Sequence, residues 1–580
     1  LSGFLSTLAT IWRLAIPYFR SQDRWPGRIL LASVIAIELA VVGVTVLINQ
    51  WNARFYNALQ DRNWDAFIGE LLIFCMLAAA FIVLRVYQLY LNQWLQIRWR
   101  QWMTSQYVSR WLENANHYRM QMLGDAADNP DQRIAEDIKQ FIENSLFVVV
   151  GLLGAIVSLA SFVVILWGLS AAAPLTLNGT VWNIPGYLVW AALLYAAVGT
   201  ALTHFIGRPL IALNFFQQRY EADFRFNLVR VRENSEQIAL LRGETAERTR
   251  LMDRFGAVVA NWLNIMTRQK KLTFLTSSYN QASVVFPIIV VSPAYFAARI
   301  QLGALTQTAG AFNSVQTSLS FFVDTYVRIA EWRAVIERLS GFQASIDTAR
   351  AVTSRTPSIS IASTPTRDIR LDELNVALPS GKSIVAADGI TIAPHDQVLV
   401  TGPSGSGKST LIRAIAGIWP FGQGKISVPA NASVMTLPQR PYLPIGSLAA
   451  AVSYPAEPGT FDDSQIGALL TAVGLPALAG RVAEEAHWSR SLSLGEQQRI
   501  GIARAILHAP DYLLLDEATA SLDEAAEAAL YQLLHERLPN ATIMSIGHRS
   551  TLAAFHKRRL TLVREGDRYR VTAAALNPAA

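Results

Sequence analysis

Residues 397–417 read QVLVTGPSGSGKSTLIRAIAG, and the local chemistry of this stretch fixes how the surrounding chain must fold. Val398–Val400 is a short β-branched, apolar run that reads as a strand, while Leu411, Ile412 and Ile415 recur at helical spacing. The turn between them, Gly402 to Ser409, fits G-x-x-x-x-G-K-[ST]. Glycines at 402, 405 and 407 let successive backbone N–H groups converge on one concavity, and the helix N-terminus adds partial positive charge there. Such a turn takes a polyphosphate. Gly402, Pro403, Ser404, Gly405, Ser406, Gly407, Lys408, Ser409 and Thr410 are the candidate nucleotide contacts, with Lys408 on the β- and γ-phosphates and Ser409 on Mg²⁺.

Working outward, DYLLLDEATASLDE (511–524) is an apolar strand that ends in two carboxylates. An acid at the end of a strand beside a phosphate loop holds Mg²⁺, and the next can polarise an attacking water, so Asp516 is assigned to the metal and Glu517 to the general base. Solvated acids at a strand end would look the same in isolation. His548, in IMSIGHRS (543–550), follows another apolar strand and reads as a γ-phosphate contact; alone it would pass for an ordinary loop histidine. In SLSLGEQQR (491–499), Ser493 and Glu496 form an S-x-x-E capping box. A capped helix start is also an anion site, which can face a phosphate supplied by another molecule.

The chain has 580 residues, too many for one core. With 52% hydrophobic residues, 16% charged residues and 15 Trp, it reads as a membrane protein joined to something soluble. One cysteine, Cys75, excludes an intramolecular disulfide framework and a Cys-rich metal site. The net charge of +7 gathers beside apolar segments, which points to membrane topology and against nucleic-acid binding. The chain opens on Leu1, which leaves a preceding segment an open question.

Apolar runs of spanning length lie at Ile29–Asn49, Phe67–Leu91, Leu146–Ser170, Pro185–Ile206, Phe274–Arg299 and Gln307–Ala330, six in all. The last is the weakest, since it carries Gln307, Asn313, Gln316 and Asp324. Ahead of the first, FLSTLATIWRLAIPYFR (4–20) mixes aromatics with arginine as an interfacial helix does. Basic residues concentrate before the first span and in the 92–145 and 207–271 connections, which predicts a cytoplasmic side for these; the uncharged 171–184 loop belongs outside. The long basic connections predict helical stalks. Ser, Thr and Pro in TSRTPSISIASTPTRD (353–368) read as linker, giving a membrane domain at 1–340, a linker at 341–368 and an α/β domain at 369–580. Polar residues inside spans face a bundle interior or water, so Glu38, Asn280, Gln281, Asn313, Gln316 and Asp324 are candidate transport-pathway residues. For Glu38 the alternative is a structural pair with a neighbouring helix.

GPSGSGKST, Gln439 in LPQRPYLP, LSLGEQQR, LLLDEATASLD and GHR occur in an order and spacing similar to those of ABC-transporter ATPase domains. The resemblance implies that Ser493, with Gly495 and Glu496, contacts ATP held on a partner's phosphate loop. It also implies that Gln439 touches Mg²⁺ and couples ATP to the membrane domain, and that Asp523 lies in a loop crossing between subunits. Two departures stand out: Leu494 replaces the usual glycine, and Leu378 in NVALPSGK stands where an aromatic normally stacks on adenine. WNARFYNALQ (51–60), NPDQRIAEDI (129–138) and SEQIALLRGE (235–244) resemble SbmA/BacA-type peptide uptake transporters and the bacterial half-transporters related to peroxisomal acyl-CoA carriers, including the mycobacterial transporter of cobalamin and peptides. The resemblance implies a helical membrane domain of six spans with an exporter-like ABC fold and a P-loop ATPase domain. It further implies an ATP-driven homodimer in the lipid bilayer of the bacterial inner membrane, with N-terminus and ATPase domain cytoplasmic and peptides or other bulky hydrophilic solutes as cargo. Acyl-CoA, lipid or cobalamin transport is one rival; an ATP-gated channel or sensor is another.

Overall fold

The structure is a computed structural model that describes residues 2–123, 129–172, 174–177, 180–182, 184–352 and 358–576. It divides into two compact units.

The first unit comprises Leu1–Val108 and Asn129–Phe342 and is helical. Helix α1 (Ser2–Arg20) is amphipathic: Leu14 and Tyr18 are buried while Trp12 is exposed. The Tyr18 ring stacks on Trp99, and its hydroxyl donates to Asp23, which Arg98 also binds. Gly27 makes this fit possible, since a Cβ there would sit 2.8 Å from the Tyr18 ring.

Helices α2 (Arg24–Gln60), α3 (Trp64–Leu112), α4 (Ile138–Ala172), α5 (Tyr187–Glu233) and α6 (Glu244–Phe296) each hold an apolar stretch long and greasy enough to cross a membrane. Helix α7 (Leu302–Asp324), the expected sixth span, does not meet that hydropathy level among the described residues. It packs against α2, α4, α5 and α6, so its polar residues lie within the helix bundle. The expected span ran on to Ala330, but Thr325 interrupts the helix and α8 (Tyr326–Ala351) begins beyond it. At 1.5 Å per residue the 53-residue α6 is ~80 Å long, more than twice a bilayer core of ~30 Å, which gives the expected stalks.

The 51–60 stretch has a structural task. Asn57 Oδ1 accepts from the Gly303 N–H at 2.8 Å and Gln60 Oε1 from the Leu302 N–H at 2.6 Å, satisfying orphan donors in the first turn of α7. A Cβ at Gly303 would lie 1.9 Å from the Ala53 carbonyl, so glycine permits the close approach. The 129–138 stretch forms a π-turn over Arg133–Asp137 and buries Asp137 between two guanidinium groups, Arg133 at 2.6 Å and Arg338 of α8 at 2.7 Å.

The second unit comprises Gln343–Ala580 together with the described part of Ser109–Asp128. Met122, from the long connection after α3, packs against the hydrophobic core of this unit. Residues 341–351 continue α8, and Ile359–Thr364 is a strand, because Ile359 and Ile361 alternate with Ser within a Ser/Thr-rich stretch that an edge position tolerates.

Eleven strands among the described residues form one sheet. They are β1 (Ile359–Thr364), β2 (Ile369–Ala377), β3 (Ser383–Ala387), β4 (Ile390–Ile392), β5 (Gln397–Thr401), β6 (Gly422–Pro429), β7 (Val434–Leu437), β8 (Tyr512–Asp516), β9 (Thr542–Ile546), β10 (Arg558–Glu565) and β11 (Arg568–Ala575). The order is β1-β6-β2-β3-β11-β10-β5-β9-β8-β7, with β4 on β2. At one end of the sheet β5, β9, β8 and β7 run parallel. Their side chains alternate between two cores: Tyr512 and Leu514 enter one, Leu513 and Leu515 the other. Parallel strands deliver their C-terminal ends to one edge, and the candidate site lies there.

Candidate ATP site and membrane cavity

The loop after β5 makes the predicted turn. Gly402, Gly405 and Gly407 have φ of 151°, 75° and 93°. At Gly407, the residue that caps α9 (Lys408–Ile415), a side chain would also drive a Cβ to 2.6 Å from Val385. Lys408 Nζ donates to the carbonyls of Gly402 and Pro403 at 2.9 and 3.0 Å and so lies across the loop. Burial pushes this ammonium below the ordinary lysine range, against the pull of Glu517 and Asp516. The Ser406 hydroxyl is buried with no hydrogen-bond partner among the described residues. A buried, unpartnered hydroxyl in a glycine turn at a helix N-terminus fits a polyphosphate.

Ser409 Oγ donates to Asp516 Oδ1 at 2.7 Å, so the two expected Mg²⁺ ligands are adjacent. Burial raises the Asp516 carboxyl above its usual range, with Ser409 opposing the shift. This oxygen pair is hard-donor chemistry of the kind Mg²⁺ takes. Glu517 follows directly and occupies the left-handed region at φ 52°, a cost that non-glycine residues bear mostly at functional sites. Its carboxylate is held from two sides: Gln439 Nε2 donates to Oε2 at 3.2 Å, and His548 Nε2 lies 3.2 Å from Oε1. Three residues spaced across the sequence thus meet at one carboxylate. With its amide nitrogen spent on Glu517, Gln439 has its carbonyl oxygen left for a cation.

Ser493 caps α10 (Leu494–His508) through the full capping box: its hydroxyl accepts from the Glu496 N–H, and Glu496 Oε2 accepts from the Ser493 N–H at 2.8 Å. Gly495 packs beneath Leu522 and the Ser521 carbonyl, where a Cβ would stand 3.2 Å from Leu522. Asp523 caps α11 (Glu524–Arg537) by accepting from the Ala526 N–H at 2.7 Å.

Sequence reasoning missed Gln498. This side chain is buried, its amide donates to the main-chain carbonyl of Gln439 at 2.9 Å, and its oxygen accepts from the Ser521 N–H at 3.0 Å. One residue therefore ties α10 both to the Gln439 segment and to the loop ahead of Asp523. The available signal was a polar residue in line with Ile502 and Ala505, both fully buried on the same helix stripe. Gln498→Leu keeps the volume and deletes both bonds, worth ~1 kcal/mol each, so ATP turnover is expected to fall about tenfold with the fold retained. Steady-state hydrolysis with a parallel unfolding curve measures this; unchanged turnover would reduce Gln498 to packing.

Residues 13–296 match the family described as ABC transporter transmembrane region 2, and residues 388–520 match that described as ABC transporter. The inner membrane ABC transporter ATP-binding protein YddA of Escherichia coli is 34% identical across 92% of this chain and 93% of its own length. ABC transporter D family member 2, chloroplastic, of Arabidopsis thaliana is also 34% identical, across 96% of this chain and 87% of its own. The chain belongs to the ABC transporters. It is a half-transporter of the D type, with one membrane domain fused to one ATPase domain that couples ATP hydrolysis to transport. A bacterial Atm1-family ABC exporter solved with ATP bound superposes with a TM-score of 0.73 over 93% of this chain and 94% of that one at 16% identity, so the transporter has the exporter-like fold.

In the transporter's membrane unit, Asn280, Gln281, Asn313 and Gln316 come together around one cavity of about 480 Å³ between α5, α6 and α7. Glu38 is elsewhere. It accepts a hydrogen bond from Gln88 and lies 3.7 Å from Arg85, both on α3, and it packs against Gly154 of α4, where a Cβ would strike its carboxylate. A carboxylate in an apolar layer needs a cation, and Arg85 supplies one. The side chain of Asp324 lies outside the described residues.

Proposed function

We propose that two copies of this chain form a homodimer that imports peptides or other bulky hydrophilic solutes across a bacterial inner membrane, with N-terminus and ATPase domain on the cytoplasmic side. The polar cavity among α5, α6 and α7 carries this reading, since amides and hydroxyls in spanning helices are costly unless they meet a polar solute or water. Acyl-CoA or cobalamin cargo, and an ATP-gated channel, are the rivals. The likeness to SbmA/BacA-type proteins supports the peptide and the inward direction.

In this reading, the loop 402–410 holds the phosphates, and Ser409, Asp516 and Gln439 hold Mg²⁺, which when bound neutralises developing phosphate charge. Glu517 takes the proton of the attacking water, with Gln439 and His548 fixing its carboxylate and His548 reaching the γ-phosphate. Ser493, Gly495 and Glu496 face the nucleotide on the other copy, and Asp523 lies at the crossing between copies. Among the described residues no hydrogen bond joins 402–410 to 493–496, in keeping with halves that serve different sites.

Mixed dimers test the sharing. A Lys408→Ala chain paired with a Ser493→Arg chain puts both defects in one site and should trap one nucleotide per dimer. Both substitutions on one chain beside a wild-type partner should trap none. The reverse pattern would mean that each chain closes its own site.

A further inference from the structure

The wall of the membrane cavity narrows what can occupy it. Side-chain amides from Asn280, Gln281, Asn313 and Gln316 are joined by threonine and serine hydroxyls, and among the described residues the lining includes no Asp, Glu, Lys, Arg or His. The hydroxyl of Tyr279, also in the wall, already donates to the Tyr195 carbonyl at 3.1 Å. No hydrogen bond within the described residues uses the amides of Asn280, Gln281, Asn313 or Gln316, although Gln316 is buried. Each amide offers two donors and an acceptor that can receive twice. Four of them on two helices, facing threonines of a third, match a ligand whose own groups both donate and accept.

A formal charge fares differently. A carboxylate, phosphate or ammonium entering this cavity would give up water and find no counter-ion among the described residues of the wall, whereas a peptide bond, carboxamide or hydroxyl recovers its hydrogen bonds. At about 480 Å³ the space suits a short segment of a bulky cargo.

We propose that this cavity is a binding site for a neutral segment of cargo rich in amides and hydroxyls, and that charge on that segment is selected against. The proposal rests on the import reading above and adds the rule by which cargo is chosen. It disfavours an anionic head as the group held here.

Transport by the full-length protein in proteoliposomes tests it. The probes are an acetylated, amidated tetrapeptide of serine, asparagine and glycine and two versions carrying one aspartate or one lysine. The neutral probe is expected to move with a kcat/KM at least tenfold above either charged one. Asn313→Asp, at an exposed position of the wall, is expected to raise lysine-probe transport relative to the neutral probe at least fivefold; should that variant not fold, Gln281→Glu makes the same change from α6. Equal transport of all three probes by wild type would overturn the charge rule while leaving import intact. If no peptide moves while acyl-CoA does, the import reading beneath the proposal fails, and the proposal with it.

Discussion

Glu517→Gln is expected to cut ATP turnover about 100-fold or more while ATP affinity stays near wild type. General-base catalysis contributes on the order of 10² to 10⁴ in rate, and the substitution removes only the basic oxygen. Lys408, which lies across the phosphate loop, and the Ser409–Asp516 pair are untouched. Glutamine fills the same volume at the same left-handed position, so local shape is retained. Its amide can still meet His548, although the donor from Gln439 now needs the remaining oxygen. Steady-state hydrolysis beside equilibrium binding of a fluorescent ATP analogue separates the two effects. Wild-type turnover would remove Glu517 from the chemistry; lost binding would make it a structural support.

Asp137→Ala is expected to be the most destabilising of the single changes considered, by about 3 kcal/mol. The carboxylate is 1% exposed and receives Arg133 at 2.6 Å and both Arg338 Nε and a terminal nitrogen at 2.9 and 2.7 Å. Deleting it removes the carboxylate that both guanidinium groups share. Arg338 is partly open to solvent, which keeps the cost at the lower end for a broken buried pair. The readout is denaturant-induced unfolding in detergent micelles. Arg338→Met added to Asp137→Ala should recover part of the loss, because it removes one of the two guanidinium charges. Equal stability of Asp137→Ala and wild type would mean that the cluster contributes nothing net.

Features set by neighbours in sequence could be read in advance. The glycines of 402–409 and the Ser493/Glu496 box depend on residues a few positions apart, and both formed as expected. The alternating faces of Tyr512–Asp516 are equally local. Features set by distant partners could not. Glu38 reads as a lone intramembrane acid until Arg85 and Gln88 come beside it from another helix. Gln498 looks like one more surface glutamine until Gln439 and Ser521 close around it. In the region read as a linker, Ser and Thr outweighed the alternation of Ile359 and Ile361, and only pairing with β6 makes a strand of it. The cavity falls between these cases: its amides were visible in the spans, but their meeting from two helices across a third required the fold.

Direction of transport is the most direct measure of the account, made with the neutral tetrapeptide sealed inside proteoliposomes and ATP added only to the medium. External ATP energises the copies whose ATPase domain faces outward, and import means movement toward that domain. The account predicts ATP-dependent release of peptide from the lumen into the medium, abolished by Glu517→Gln. Accumulation of external peptide in the lumen under the same conditions, or hydrolysis without any peptide movement, would contradict it.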